Sequence, residues 1–327
     1  MVSSEDFYLR TNNVSHMKVV ITGGCGFIGS NLAHELVDEN EVVVIDDLST
    51  GRLENNGDLL DNENYRFVKG SITDLDLLKQ TFDGARYVFH QAAIPSVPRS
   101  IKDPAKTNEV NISGTLNVLI AAADNNVTKV VYASSSSVYG DTPVLPKEES
   151  MTPNPLSPYA VSKLTGEYYC KVVTEIYGLK TTSLRYFNVY GPRQDPSSEY
   201  AAVIPKFITK ALDRESPIIY GDGEQTRDFT FVKDVVSANI LAAKSSETGI
   251  FNIGGGKRIS INELAETIIK ASGTGTDPGL THVEPREGDV KHSLADISRA
   301  ESIIGYKPSY TLDDGLKETI RWFSNEQ

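Results

Sequence analysis

Between two runs of β-branched residues, Val19-Val20-Ile21 and Val42-Val43-Val44-Ile45, the chain carries Thr22-Gly23-Gly24-Cys25-Gly26-Phe27-Ile28-Gly29 and then a stretch of helical period to Val37. Strand, glycine-rich turn, helix and strand in this order make a βαβ unit. The spacing gives each glycine of the triplet its own task. Gly23 permits a tight turn, Gly26 lets backbone approach a pyrophosphate, and Gly29 lets the helix pack closely on the strand. The helix that opens at Phe27 and Ile28 offers its unpaired N–H groups to the anion. Asp46 closes the second strand, where a carboxylate accepts hydrogen bonds from an adenosine ribose and repels a 2′-phosphate, so NAD is expected rather than NADP. Arg52 stands close by and would answer a 2′-phosphate, although a solvated surface arginine is the blander account of it.

The same alternation continues. Candidate strands lie at Tyr65 to Lys69, Tyr87 to His90, Lys129 to Ala133 and Thr181 to Tyr186, with helices at about 104 to 124 and 157 to 177. The expected class is α/β, a doubly wound parallel Rossmann sheet with a smaller C-terminal α/β substrate lobe. After Gly191-Pro192-Arg193 the elements shorten and are broken by Gly and Pro, as in Gly254-Gly255-Gly256. The organisation expected is therefore 1–16 as an N-terminal extension, 17–190 as the dinucleotide-binding domain and 191–327 as the substrate lobe, with an interleaved boundary. A length of 327 residues accommodates two unequal lobes.

Charge removes several classes of partner. A formal net charge of -12 leaves no basic face for a nucleic-acid backbone, so any phosphate bound should be small and locally cradled. No apolar run approaches the roughly 20 residues of a membrane span. Met1 to His16 lacks the apolar core of a secretory signal, which points to a cytoplasmic protein. Cys25 and Cys170 read as packing residues, and no metal site is expected.

In Ser157-Pro158-Tyr159-Ala160-Val161-Ser162-Lys163 the tyrosine and lysine are one helical turn apart on the same face. A phenol with a pKa of about 10 is a poor base at neutral pH and needs a cation beside it. Such a pair alone usually means a packed tyrosine next to a solvated lysine. Here the strand from Lys129 ends in Ser134-Ser135-Ser136-Ser137-Val138-Tyr139-Gly140, which sets hydroxyls at the carboxyl end of a parallel strand, where α/β sheets bind ligands. A serine there can share the reacting proton with Tyr159.

Glycine loop, serine-rich strand end and Tyr-x-x-x-Lys, in this order, resemble the extended short-chain dehydrogenase/reductases, and among them the UDP-glucose/UDP-galactose and UDP-N-acetylhexosamine 4-epimerases, from Lys18 almost to the C-terminus. The resemblance implies catalytic roles for Ser135, Tyr159 and Lys163. It implies cofactor contacts from the glycine loop, Asp46, Asp47, Ser49, Thr50, Gly51, Ser71, Ile72, Gln91, Ala92, Ala93, Tyr159, Lys163 and Tyr186. Substrate contacts are implied for Ser96, Ser135, Ser136, Ser137, Tyr159, Asn188, Gln194, Val203, Ile204, Tyr220, Arg227, Arg286, Asp289 and Ser293. Arg227 and Arg286 would clamp the diphosphate, as bidentate guanidinium groups suit phosphate oxygens. The chemistry implied is transient oxidation at C4 of the sugar: Tyr159 takes the hydroxyl proton, NAD takes the hydride, and the hydride returns to the other face of the 4-keto sugar.

Two positions depart from or specialise the family pattern. Ser71 stands where an acidic residue often reads the adenine amine. Ser293 stands where the family sets the size of the sugar pocket, and its small side chain leaves room for an acetamido group. UDP-glucuronate epimerisation is the nearest alternative activity. Dehydratases and decarboxylases of this fold carry an acid where Ser136-Ser137 stand, and a non-catalytic NAD or nucleotide-sugar sensor would need no proton relay. Leu116, Val118 and Leu119, with Tyr168, Val172 and Val173, give the two helices more apolar surface than one sheet face needs. The resemblance implies a homodimer paired through these helices.

Overall fold

In the computed structural model, residues 17–196, 202–275, 277–285 and 291–326 are described. The N-terminal half runs β1 (Met17–Thr22), α1 (Phe27–Leu36), β2 (Asn40–Asp46), β3 (Tyr65–Lys69), α2 (Leu75–Phe82), β4 (Tyr87–His90), α3 (Val97–Lys102), α4 (Pro104–Asn108), α5 (Thr115–Asp124), β5 (Lys129–Ser135), α6 (Pro158–Tyr177) and β6 (Lys180–Tyr186). There follow β7 (Val189–Tyr190), α7 (Val203–Leu212), β8 (Ile218–Tyr220), β9 (Thr226–Arg227), β10 (Thr230–Phe231), α8 (Val232–Lys244), β11 (Gly249–Ile253), β12 (Ile259–Ser260), α9 (Ile261–Ser272), β13 (Thr281–Val283), α10 (Ser298–Ile304) and α11 (Leu312–Glu326).

Seven parallel strands form the central sheet in the order β11-β6-β5-β4-β1-β2-β3, the doubly wound arrangement expected from the sequence. The inner β1 and β2 are buried on both faces, which is why they read as apolar runs. Side-chain alternation divides them. Val19, Ile21, Val42 and Val44 pack with Leu32 of α1 and Val235 of α8 on one side. Val20, Val43, Ile45 and Val130 pack with Phe82, Val118 and Val173 on the other. A separate core built on Phe207, Leu264, Ile268, Leu316 and Phe323 holds α7, α9 and α11 together as the smaller lobe. The chain crosses between the two bodies. After β10 it returns to the sheet, where α8 packs on α1 and β11 pairs with β6.

The segment expected as one helix over about 104 to 124 is instead α4, a π-helical turn at Glu109–Gly114, and α5. Tertiary contacts account for the wider turn. Asn111 exchanges hydrogen bonds with the backbone of Ile94 (2.7 and 3.1 Å) and donates to Ser162 Oγ (3.1 Å), while a Cβ on Gly114 would lie 2.6 Å from Ile72. The other long helix, α6, follows sequence logic closely. Ser157 caps it by accepting from the Ala160 N–H (3.1 Å), Pro158 fills its first turn, and Gly178 ends it at φ 72°.

Candidate active site

The carboxyl ends of β1, β2, β4, β5 and β6 converge where the strand order reverses, the position at which open α/β sheets take ligands. A cavity of about 440 Å³ runs along this edge. Its wall takes in Gly23, Gly26, Phe27, Ile28 and Gly29, then Asp46, Asp47, Ser49 and Thr50 after β2, and Ser71 and Ile72 after β3. Gln91, Ala92 and Ala93 after β4, Tyr159 and Lys163 on α6, and Tyr186 also line it. Gly51 is not part of this wall. It packs beneath it, where a Cβ would meet the Asp46 carboxylate at 2.9 Å.

The loop glycines divide by what confines them. Gly23 sits at φ +70°, and a Cβ there would lie 2.6 Å from the Ala92 backbone; on Gly29 it would lie 2.3 Å from the Gly23 carbonyl. Around Gly26 the nearest protein atom would be 3.2 Å away, so what a side chain there would obstruct is the cavity itself. Helix α1 begins at Phe27 with no side-chain cap and no acidic residue in its first turn, leaving its N–H groups for an anion. Asp46 is aimed by two backbone donors, Cys25 N–H (3.0 Å) and Leu48 N–H (2.8 Å). Burial pushes its pKa above the ordinary carboxylate value, and those two hydrogen bonds oppose the rise. Cradle and carboxylate together fit a dinucleotide without a 2′-phosphate. Ser71 Oγ accepts from Thr73 N–H and Oγ1, and Ile72 is buried beside it.

At the other end of the cavity stand the residues expected to form the proton relay. Tyr159 is half-buried, and its phenol faces Ser135. Burial pushes the phenol pKa up and the neighbouring Ser135 hydroxyl pulls it back. Lys163 Nζ lies 5.8 Å from the Tyr159 ring centroid and donates to the Ala133 carbonyl (2.8 Å). Burial lowers its pKa to about 8. His90, buried behind them between Thr22 Oγ1 (2.7 Å) and Thr115 Oγ1 (2.9 Å), is pushed down to about 3 by burial and by Lys163, so it stays neutral. Ser136 and Ser137 follow in a short 3-10 turn, with Ser137 donating to Ser135 through its N–H (3.2 Å) and Oγ (2.9 Å).

A second cavity of about 550 Å³ shares Pro196 and Ala202 with the first and is lined by Asn188, Val203, Ile204, Tyr220 and Arg227. Asn188, at φ +32°, donates to the Asp228 carbonyl (2.9 Å) and to Ser293 Oγ (3.2 Å), which puts the predicted pocket-size residue beside the predicted phosphate contact. Val203 and Ile204 open α7, where backbone N–H groups have no intrahelical partner. Gln194 lines the first cavity with its Oε1 buried and without a partner among the described residues. Ser96, on the same wall, adopts φ +89°, a strained backbone for serine that concentrates at functional sites. Arg286 and Asp289 lie outside the described residues.

Sequence reading missed several cavity residues. Arg193 reaches across from the Gly191-Pro192 turn to donate to the Asn55 carbonyl (3.1 Å) and Asn31 Oδ1 (3.3 Å). Trp322 arrives from α11; Arg52, which the sequence offered as a solvated arginine, instead forms an ion pair with Asp195 (2.9 Å) over the same groove. The only local signal was the glycine-proline turn, which marks a loop but not what it faces.

A phenol beside a serine and a buried lysine, next to a groove cut for a dinucleotide, makes the protein a short-chain dehydrogenase/reductase of the extended type. The chain belongs to the NAD dependent epimerase/dehydratase family, which it matches over residues 19–254. It is 40% identical to the UDP-glucose 4-epimerase of Mycolicibacterium smegmatis over 95% of this chain and 99% of that one. Among solved structures it resembles the UDP-N-acetylglucosamine 4-epimerase of Methanobrevibacter ruminantium in complex with UDP-N-acetylmuramic acid, at 46% identity and a TM-score of 0.92, covering 95% of this chain and 99% of that one. The UDP-glucose 4-epimerase of Thermus thermophilus in complex with NAD matches at 35% identity and a TM-score of 0.85, covering 95% and 100%.

Proposed function

We propose that the protein interconverts the C4 epimers of UDP-hexoses, taking UDP-glucose and UDP-galactose and also UDP-N-acetylglucosamine and UDP-N-acetylgalactosamine. The observation that carries this reading is the junction of the two cavities, with Tyr159 and Lys163 on the wall of one and Asn188, Tyr220 and Arg227 on the wall of the other. Bound NAD supplies a hydride acceptor, and afterwards a hydride donor, at C4 of the sugar. Tyr159 takes the 4-hydroxyl proton and returns it, Ser135 shares that proton, and Lys163 stabilises the phenolate. Asn188 and Arg227, with Arg286, hold the diphosphate firmly. Ser293 leaves the sugar room to turn over as the 4-keto form and room for an acetamido group. Ser136 and Ser137 present hydroxyls where an elimination would need an acid.

Incubation with UDP-N-acetylglucosamine and, separately, UDP-glucose, followed by proton NMR of the anomeric signals, tests the proposal. Galacto epimers are expected from both. Turnover of UDP-glucuronate alone would move the assignment to uronic acids, a 4-keto-6-deoxy product would make the protein a dehydratase, and bound NAD with no turnover would favour a sensor.

The reading includes a homodimer and a cytoplasmic enzyme. Among the described residues no helix is long and apolar enough to cross a membrane. Val118, Leu119 and Val173 are buried against the sheet, but Val161, Tyr168, Val172 and Ile176 leave an apolar stripe exposed along α6, with Ile120 exposed on α5. That stripe suits a second copy of the chain. An Ile176→Glu variant is expected to elute as a monomer in light scattering with its NAD content unchanged; an unchanged dimer would place the interface elsewhere.

A further inference from the structure

Behind the serines at the end of β5 lies a buried charged pair. Arg185 on β6 and Glu167 on α6 have side chains 2% and 0% exposed. Arg185 Nε and Nη2 donate to Glu167 Oε1 and Oε2 at 2.8 and 2.7 Å, and its guanidinium lies 4.6 Å from the Tyr139 ring centroid. Glu167 Oε1 also accepts from Ser134 Oγ at 2.5 Å. Helix α6 therefore meets the end of β5 at three successive turns of one face: Tyr159 faces Ser135, Lys163 donates to the Ala133 carbonyl, and Glu167 accepts from Ser134.

Apolar side chains filling this space would cost the fold little or nothing, since buried ion pairs add little stability over packed hydrophobes. They could not hold Ser134. A carboxylate can take the guanidinium fork on one side and a hydroxyl on the other. We propose that Glu167 is a positioning residue: through Ser134, with Arg185 fixing its own carboxylate, it holds the end of β5 so that Ser135 stays within hydrogen-bond reach of Tyr159. This rests on the assignment of Ser135 and Tyr159 as the proton-transfer pair. Glu167 touches neither nucleotide nor sugar in this role, and its effect falls on the transfer step.

Because removal of Glu167 also disturbs folding, the link is tested at Ser134, whose change to alanine leaves the ion pair in place. Ser134→Ala is expected to lower kcat about tenfold, a part of the usual contribution of general acid–base catalysis, with KM for the UDP-sugar and NAD content unchanged. A second readout needs no turnover. Ultraviolet difference titration of each protein against the same protein carrying Tyr159→Phe isolates the Tyr159 phenol, which faces Lys163 and Tyr132. Its midpoint is expected to rise in Ser134→Ala, because the Ser135 hydroxyl that stabilises the phenolate is held less firmly beside it. An unmoved midpoint, or a kcat loss that follows NAD loss, overturns the inference. If the wild type epimerises no UDP-hexose the functional reading fails, while the titration still decides the positioning role.

Discussion

Replacing Tyr159 by phenylalanine is expected to lower kcat for 4-epimerisation by about a thousandfold, within the range that positioned acid–base groups contribute. The change removes one oxygen. The ring keeps its place on α6, with Lys163 5.8 Å from its centroid, so the melting temperature, NAD content and KM should remain close to wild type. What disappears is the phenol oxygen proposed to exchange the sugar hydroxyl proton. His90 cannot substitute, since burial and Lys163 keep its pKa near 3 and both ring nitrogens are engaged by Thr22 and Thr115. Steady-state kinetics beside a calorimetric scan check this. Retention of more than about a tenth of kcat would mean that another group carries the proton, far outside the range for losing such a base.

The second large effect is on stability. Glu167→Ala leaves the Arg185 guanidinium buried without its carboxylate, and breaking one side of a buried pair costs about 3–5 kcal/mol. Arg185 has little to fall back on, because its Nη1 is already buried with no partner among the described residues. The urea midpoint of the variant should therefore fall well below that of the wild type. A Glu167→Met/Arg185→Met double variant should recover much of the loss, since similar-sized apolar side chains replace such pairs with little penalty. A single variant as stable as the wild type would contradict the buried pair. A double variant no better than the single would mean that packing, not charge, holds the site.

The two effects lie at different distances from what local sequence can express. Gly23, Gly26 and Gly29, Asp46, and Tyr159 with Lys163 were legible because each works through backbone geometry or helix periodicity within its own element. Strands β1 and β2 were legible for a related reason, as parallel strands buried on both faces leave continuous apolar runs. Asn188 and Ser293 were reached only through resemblance, and their contact at 3.2 Å spans 105 residues of chain.

The sequence by itself determined the glycine cradle, the carboxylate that ends β2, the Tyr-Lys face of α6 and the parallel α/β class of the sheet, since these depend on local propensity and on side chains a few residues apart. Only the tertiary structure decided the Ser134–Glu167–Arg185 network, the return of α8 and β11 to the main sheet, the π turn before α5, and the arrival of Arg193 and Trp322 in the groove. Each of these joins residues brought together by strand order and helix packing. Their partners are selected by burial and hydrogen-bond satisfaction in three dimensions, which no spacing along the chain encodes.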